Sequence, residues 1–153
     1  AALADHAKAI QLDSDNAKLY YNRGFLYEQL GEYASAIDDY TRAIQLNPDY
    51  FQAYGNLGIS YFELGQYSNA INSLDKAIQL DPDFAGHYVS RGSSNGSLGQ
   101  YQNSIDDFSK AIDLDPDNAN AFQYRGISYR NLGQSTLADA DFTKACSLDR
   151  KYC

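Results

Sequence analysis

The 153-residue chain has no methionine, no tryptophan, three prolines, two histidines and two cysteines. Both cysteines fall within the last eight residues, so they cannot staple a fold of this length. No stretch approaches the roughly 18 consecutive apolar residues of a membrane span, and mean hydropathy is -0.53; membrane insertion is excluded. Positive charge is scarce: 12 Lys plus Arg stand against 20 Asp plus Glu, a net charge of -8 with no basic block. Such a chain is not built to grip phosphates, so nucleic acid and anionic membrane are not expected partners. With no methionine and a first residue Ala1, we read the chain as processed or cut from a longer one, so its lack of a targeting signal carries no information. The apolar share of 44% and charged share of 21% are those of a globular chain, and the length is about that of one domain.

The sequence does have a period. Gly24, Gly58, Gly92 and Gly126 are spaced 34 residues apart, and so are Gly31, Gly65, Gly99 and Gly133. Tyr27, Tyr61 and Tyr129 form a third column with Asn95 in the remaining place. Ala43, Ala77, Ala111 and Ala145 form a fourth; Pro48, Pro82 and Pro116, with Arg150 in the last place, form a fifth. Each unit reads as two helices. In Phe51 to Leu64, apolar Tyr54, Leu57, Tyr61 and Leu64 recur at spacings of three and four, one helical face, and Gly65 ends it. A second stripe runs through Tyr67, Ala70, Ile71, Leu74, Ala77, Ile78 and Leu80 until Asp81-Pro82 stops it. A mid-helix glycine costs roughly 1 kcal/mol against alanine; repeated at Gly24, Gly58, Gly92 and Gly126, it implies a partner helix too close for a side chain.

Tyr20-x-x-Arg23-Gly24-x-x-Tyr27, then Ala36-x-x-x-Tyr40, then Pro48 resembles the tetratricopeptide repeat (TPR) pattern. The match recurs at Tyr54/Leu57/Gly58/Tyr61/Ala70/Leu74/Pro82, at Tyr88/Arg91/Gly92/Ser104/Phe108/Pro116 and at Phe122/Arg125/Gly126/Tyr129/Ala138/Phe142. The resemblance implies an all-α fold, an α-solenoid of helix-turn-helix repeats forming a right-handed superhelix. It implies four full units at 17–50, 51–84, 85–118 and 119–152, in one continuous domain, with residues 1–16 as the second helix of a truncated repeat. A single unit cannot bury its apolar face, so stability comes from neighbours.

In this family the first helix of each unit lines the concave face. Carried over residue by residue, that places Tyr21, Asn22, Phe25, Asn56, Ile59, Phe62, Val89, Ser90, Tyr124 and Ile127 in a peptide groove. Exposed apolar side chains there point to a partner; the alternative is that they fold inward against neighbouring helices. Asn22 and Asn56 share one column and resemble the start of an asparagine ladder that bonds an extended peptide's main chain, although Ser90 and Tyr124 interrupt it. The family's two-carboxylate clamp needs lysine, asparagine and arginine in columns that here hold Tyr21, Phe25, Asn56, Gly86 and Ser90. Only Asn56 fits, so binding of an acidic chaperone tail is not expected. The segment Arg91–Leu98, with two interior glycines and Asn95 for a packing tyrosine, reads either as a hinge or ligand-approach surface or as a helix held by tertiary packing.

Catalytic and cofactor chemistry find no support. Asp113-x-Asp115-x-Asp117 opens like a calcium loop, but Asn118 stands at the sixth place and Tyr124 at the twelfth, and the Asp-Pro-Asp turn recurs at Asp81-Pro82-Asp83. His6 and His87 lie too far apart to build a zinc cluster with the terminal cysteines, and no motif puts a nucleophile on a sharp turn. Neither enzyme activity nor a metal or cofactor is expected. Asp38/Asp39 before Arg42, Asp106/Asp107 before Lys110 and Asp141 before Lys144 read as solvated surface pairs worth a few tenths of a kcal/mol each. The ending Ala145-Cys146-x6-Cys153 resembles terminal units of some bacterial TPR and Sel1-like proteins in which a cysteine pair bridges a helix to its successor. A turn near Asp149-Arg150 permits a Cys146–Cys153 bridge; a straight helix, spanning about 10 Å, forbids it. Bridged cysteines lean towards a bacterial extracytoplasmic compartment, free ones towards the cytoplasm. The function expected is a non-catalytic scaffold binding a protein or peptide segment in its groove. The alternatives are a self-assembly module, homo-oligomeric by end-to-end stacking, and a regulatory module of a larger protein.

Overall fold

The computed structural model describes residues 2–153, and among these every regular element is a helix. In chain order they are α1 (Ala2–Leu12), α2 (Ala17–Gln29), α3 (Tyr33–Leu46), α4 (Phe51–Glu63), α5 (Tyr67–Leu80), α6 (Ala85–Ser97), α7 (Tyr101–Leu114), α8 (Ala119–Asn131) and α9 (Ser135–Leu148), then a 3-10 turn at Arg150–Tyr152. The helices fall into two compact units, Ala1–Asp81 and Pro82–Cys153. Each unit holds two antiparallel pairs: α2 with α3 and α4 with α5 in the first, α6 with α7 and α8 with α9 in the second.

The turn within each pair follows from one glycine. Gly31 has φ +74°, and nothing would lie within 4 Å of a Cβ there, so the requirement is conformational rather than steric. Its N–H donates to the Glu28 carbonyl at 2.9 Å and that of Glu32 to the Tyr27 carbonyl at 2.9 Å, satisfying two carbonyls at the end of α2. Gly65 closes α4 the same way, with bonds to Phe62 and Tyr61. The mid-helix glycines have the steric reason the period implies. A Cβ on Gly58 would lie 2.6 Å from Leu74 Cγ, and one on Gly126 2.7 Å from the Phe142 ring.

Within the first unit the core is Ala36, Tyr40, Ala43, Ala53, Leu57, Ala70, Leu74 and Ala77, all buried. Ile37 and Ile44 of α3 pack against the cluster of Ala36, Tyr40 and Leu57 together with Tyr21, Tyr27 and Tyr61, which ties α3 to both α2 and α4. In the second unit Tyr88, Ile105, Phe108, Ala111, Ala121, Ala138 and Ala145 are buried. The weak segment of α6 is a continuous helix. Ser93, Ser94 and Ser97 donate to the carbonyls of Val89, Ser90 and Ser93 at 2.9, 2.9 and 3.0 Å. Gly92 lets Phe108 and the Asp107 Cβ approach to 3.2 Å of where its own Cβ would be. Packing on α7 overrides the poor propensity.

Candidate peptide-binding faces

The ten expected groove residues divide between the units and are not alike in exposure. In the first unit, α2 carries Tyr21, Asn22 and Phe25, and α4 carries Asn56, Ile59 and Phe62. Phe25 is 44% exposed, whereas the other five are half-buried. Tyr21 packs its ring against Tyr40 (5.7 Å between centroids) and Tyr50 (4.8 Å), and Phe62 leans on Tyr67 of α5 at 5.4 Å. The aromatic strip thus splits: Tyr21 and Phe62 fold partly inward, and Phe25 faces water.

A polar network lies beneath that face. Asn56 Nδ2 donates to the hydroxyls of Tyr21 and Tyr40, both at 3.3 Å, and Tyr40 in turn donates to Glu28 Oε2 at 2.8 Å. Burial, and then the Glu28 carboxylate that accepts its proton, push the Tyr40 phenol well above its ordinary value. Burial likewise raises the Glu28 carboxyl; the Tyr40 hydrogen bond opposes this and the charge of Glu63 adds to it. The amide hydrogens of Asn56 are committed inside the protein. Among the described residues Asn56 Oδ1 and the Asn22 amide make no hydrogen bond, so the two asparagines of that column are not equivalent.

In the second unit, α6 carries Val89 and Ser90, both half-buried, and α8 carries Tyr124 and Ile127, which are 45% and 39% exposed. Tyr124 stacks on Phe108 at 5.9 Å between ring centroids. Beneath it, Ser104 Oγ donates to the Gly92 carbonyl at 2.8 Å and meets Ser128 Oγ at 2.9 Å. This small-residue contact draws α6, α7 and α8 together. Near the same face, Gln123 Oε1 is closed off from solvent without a hydrogen-bond donor among the described residues.

One expectation is overturned. Asp39, Asp107 and Asp141 are not solvated partners of the bases that follow them; they are buried at 5, 5 and 6% exposure. Each takes a fork from the arginine sixteen residues earlier, on the companion helix. Arg23 Nε and Nη2 reach Asp39 at 2.6 Å each, Arg91 Nη2 reaches Asp107 at 2.6 Å, and Arg125 Nε and Nη2 reach Asp141 at 2.8 Å each. The physical reason is that the arginine lies among aromatic rings in the helix–helix seam, Arg23 over Tyr20 and Tyr27 and Arg125 over Phe122 and Tyr129, where only a carboxylate can balance it. Asn95, in the tyrosine column, donates to Asp107 Oδ2 at 2.9 Å, so this departure from the period serves the same clasp. A signal was present: Arg and Asp recur together in three units, and where Leu57 replaces the arginine Ser73 replaces the aspartate.

At α9 the pattern changes again. The isoleucine pair of the second helix in the three preceding full repeats (Ile37/Ile44, Ile71/Ile78, Ile105/Ile112) is Asp139/Cys146 here. Asp149 is extended (φ -144°, ψ 115°), so the chain turns rather than continuing as helix, bringing the Cα atoms of Cys146 and Cys153 to 4.8 Å, and the two sulfurs are bonded. Tyr152, in that turn, donates its hydroxyl to Asn120 Oδ1 near the start of α8. Among the described residues no group of three or more His, Cys, Asp or Glu could hold a metal ion, and no helix is long and apolar enough to cross a membrane. Asp115, of the calcium-like run, instead takes the Asn118 amide at 3.1 Å in the turn before α8.

Family models described as tetratricopeptide repeat match residues 17–50, 51–84 and 119–152, and one described as TPR repeat matches residues 1–31 and 96–134. The chain belongs to the tetratricopeptide repeat family. No curated protein matches it in sequence. Among solved TPR structures, MamA is 27% identical over 98% of this chain and 88% of its own, with a TM-score of 0.93. MamA from Desulfovibrio magneticus RS-1 is 25% identical over 98% and 85%, at 0.92. YrrB, described as a TPR protein with an unusual peptide-binding site, is 26% identical over 97% and 77%, at 0.86. The first TPR of Spaghetti (RPAP3), bound to the HSP90 peptide SRMEEVD, is 25% identical over 79% of this chain and 96% of its own, at 0.76.

Proposed function

We propose that this TPR protein is a non-catalytic scaffold that binds an extended segment of another protein on the first helices within a unit, α2 with α4 or α6 with α8. The carrying observation is that Phe25, Tyr124 and Ile127 hold 44, 45 and 39% of their surface in water. The peptide sites described for YrrB and for the RPAP3 repeat support the reading by likeness of fold. End-to-end stacking is less favoured, because Asp139 and Cys146 remove from α9 the apolar pair with which an earlier second helix such as α3 meets the next repeat. The test is selection from a displayed random peptide library. Wild-type protein should enrich a recurrent motif, and the triple variant Phe25→Ser/Tyr124→Ser/Ile127→Ser, with helicity retained, should lose it. Undiminished enrichment by the variant would overturn the reading.

A further inference from the structure

The chemistry of the first unit's face is uneven. Tyr21 and Asn56, one on α2 and the other on α4, touch at 3.3 Å across a sequence separation of 35. Glu28 and Glu63 repeat that separation two helical turns further along, which brings Glu63 alongside Glu28. Both carboxylates sit in the last turn of their helices, where the helix dipole already puts partial negative charge, and neither α2 nor α4 has a basic residue in that turn. Among the described residues neither carboxylate enters an ion pair, and the charge of Glu63 helps to raise the Glu28 carboxyl. The helix dipoles and the mutual repulsion therefore act against the same two anions, and at Glu28 the Tyr40 hydrogen bond offsets them in part. Phe25 lies one turn before Glu28, and Ile59 and Phe62 lie one turn or less before Glu63, so the acidic pair borders an apolar surface.

We propose that the first unit's face docks a segment in which a lysine or arginine stands next to an apolar residue, the cation between Glu28 and Glu63 and the apolar side chain against Phe25, Ile59 and Phe62. Charge complementarity selects this occupant: a cation relieves both carboxylates at once, whereas an acidic side chain placed there would add a third anion. This rests on the scaffold reading above and adds the chemistry of the ligand.

The experiment uses the full chain and the peptides enriched from the same library, with affinity read by fluorescence anisotropy. Enriched peptides are expected to pair Lys or Arg with an apolar neighbour. Glu28→Gln/Glu63→Gln should bind them about tenfold more weakly, and raising salt should weaken wild type but scarcely affect the variant. Glu28→Gln keeps an acceptor for Tyr40, and Glu63→Lys, at an exposed position, supplies a second variant whose lysine pairs with Glu28 and should abolish the preference for basic peptides. Enriched peptides without basic residues, lost on Phe25→Ser/Tyr124→Ser/Ile127→Ser, would overturn the charge assignment and leave the scaffold standing. No enrichment by wild type would overturn both.

Discussion

The arginine–aspartate clasp supplies its own control, because one unit of the chain does without it. Tyr20 and Tyr27 flank Arg23 as Tyr54 and Tyr61 flank Leu57, and Asp39 corresponds to Ser73, so Arg23→Leu/Asp39→Ser copies a solution already present 34 residues away. Removing Asp39 alone leaves a guanidinium that is 21% exposed and still rests on two rings, at a cost of about 2 kcal/mol. Removing Arg23 alone strands a carboxylate that is 7% exposed, which costs more, about 3 kcal/mol. The double variant loses two forked hydrogen bonds but leaves no buried charge, so it should cost about 2 kcal/mol rather than the sum of about 5. Urea unfolding followed by circular dichroism on all four proteins closes the cycle, with an interaction of about 3 kcal/mol expected. Strict additivity would refute the claim that these side chains act as one unit.

Glu28→Gln gives a pH test. Burial and then Glu63 raise the folded carboxyl against the opposing Tyr40 bond, so the folded chain holds a proton that the unfolded chain releases. That contribution is fully present below the ordinary glutamate range and is lost as pH rises through the folded value; the variant should therefore melt higher than wild type at about pH 7 and equal it near about pH 4. A variant advantage that grew on acidification would contradict the assignment. Gly126→Ala should destabilise by about 1–2 kcal/mol because the Phe142 ring leaves no room, and Gly65→Ala by about 1 kcal/mol because of its φ of +72°; thermal melts rank both. Reducing Cys146–Cys153 opens a loop of sequence separation 7, worth about 2 kcal/mol by chain entropy. Hydrogen exchange should then quicken at residues 149–153 and at the start of α8, where Tyr152 meets Asn120, and not in α2–α5.

The repeat itself was plain in the sequence because its glycine columns recur at one period: a φ that suits glycine at Gly31, and an approach that only a missing side chain allows at Gly58. What escaped were pairings between helices. Asp39 and Arg42 are neighbours on one turn, so a rule of three-and-four spacing claims them first. The arginine that binds Asp39 lies sixteen residues back, visible only by comparing units and noting that Leu57 and Ser73 change together. Site residues were legible as positions and not as surfaces. The register put Tyr21, Phe25 and Phe62 in equivalent roles, whereas Tyr40, Tyr50 and Tyr67 decide which of them turn inward, and those are neighbours no single-helix pattern contains.

The substitution at α9 can also be stated in the language of polymer growth. A repeat stack extends only while each second helix presents a reactive end to the next, and in α3 that end is Ile37 with Ile44. Asp139 places a charge in that row and the bond to Cys153 takes Cys146 out of it, so α9 lacks the apolar pair through which α3 meets α4. Restoring Asp139→Ile/Cys146→Ile would make that end living again.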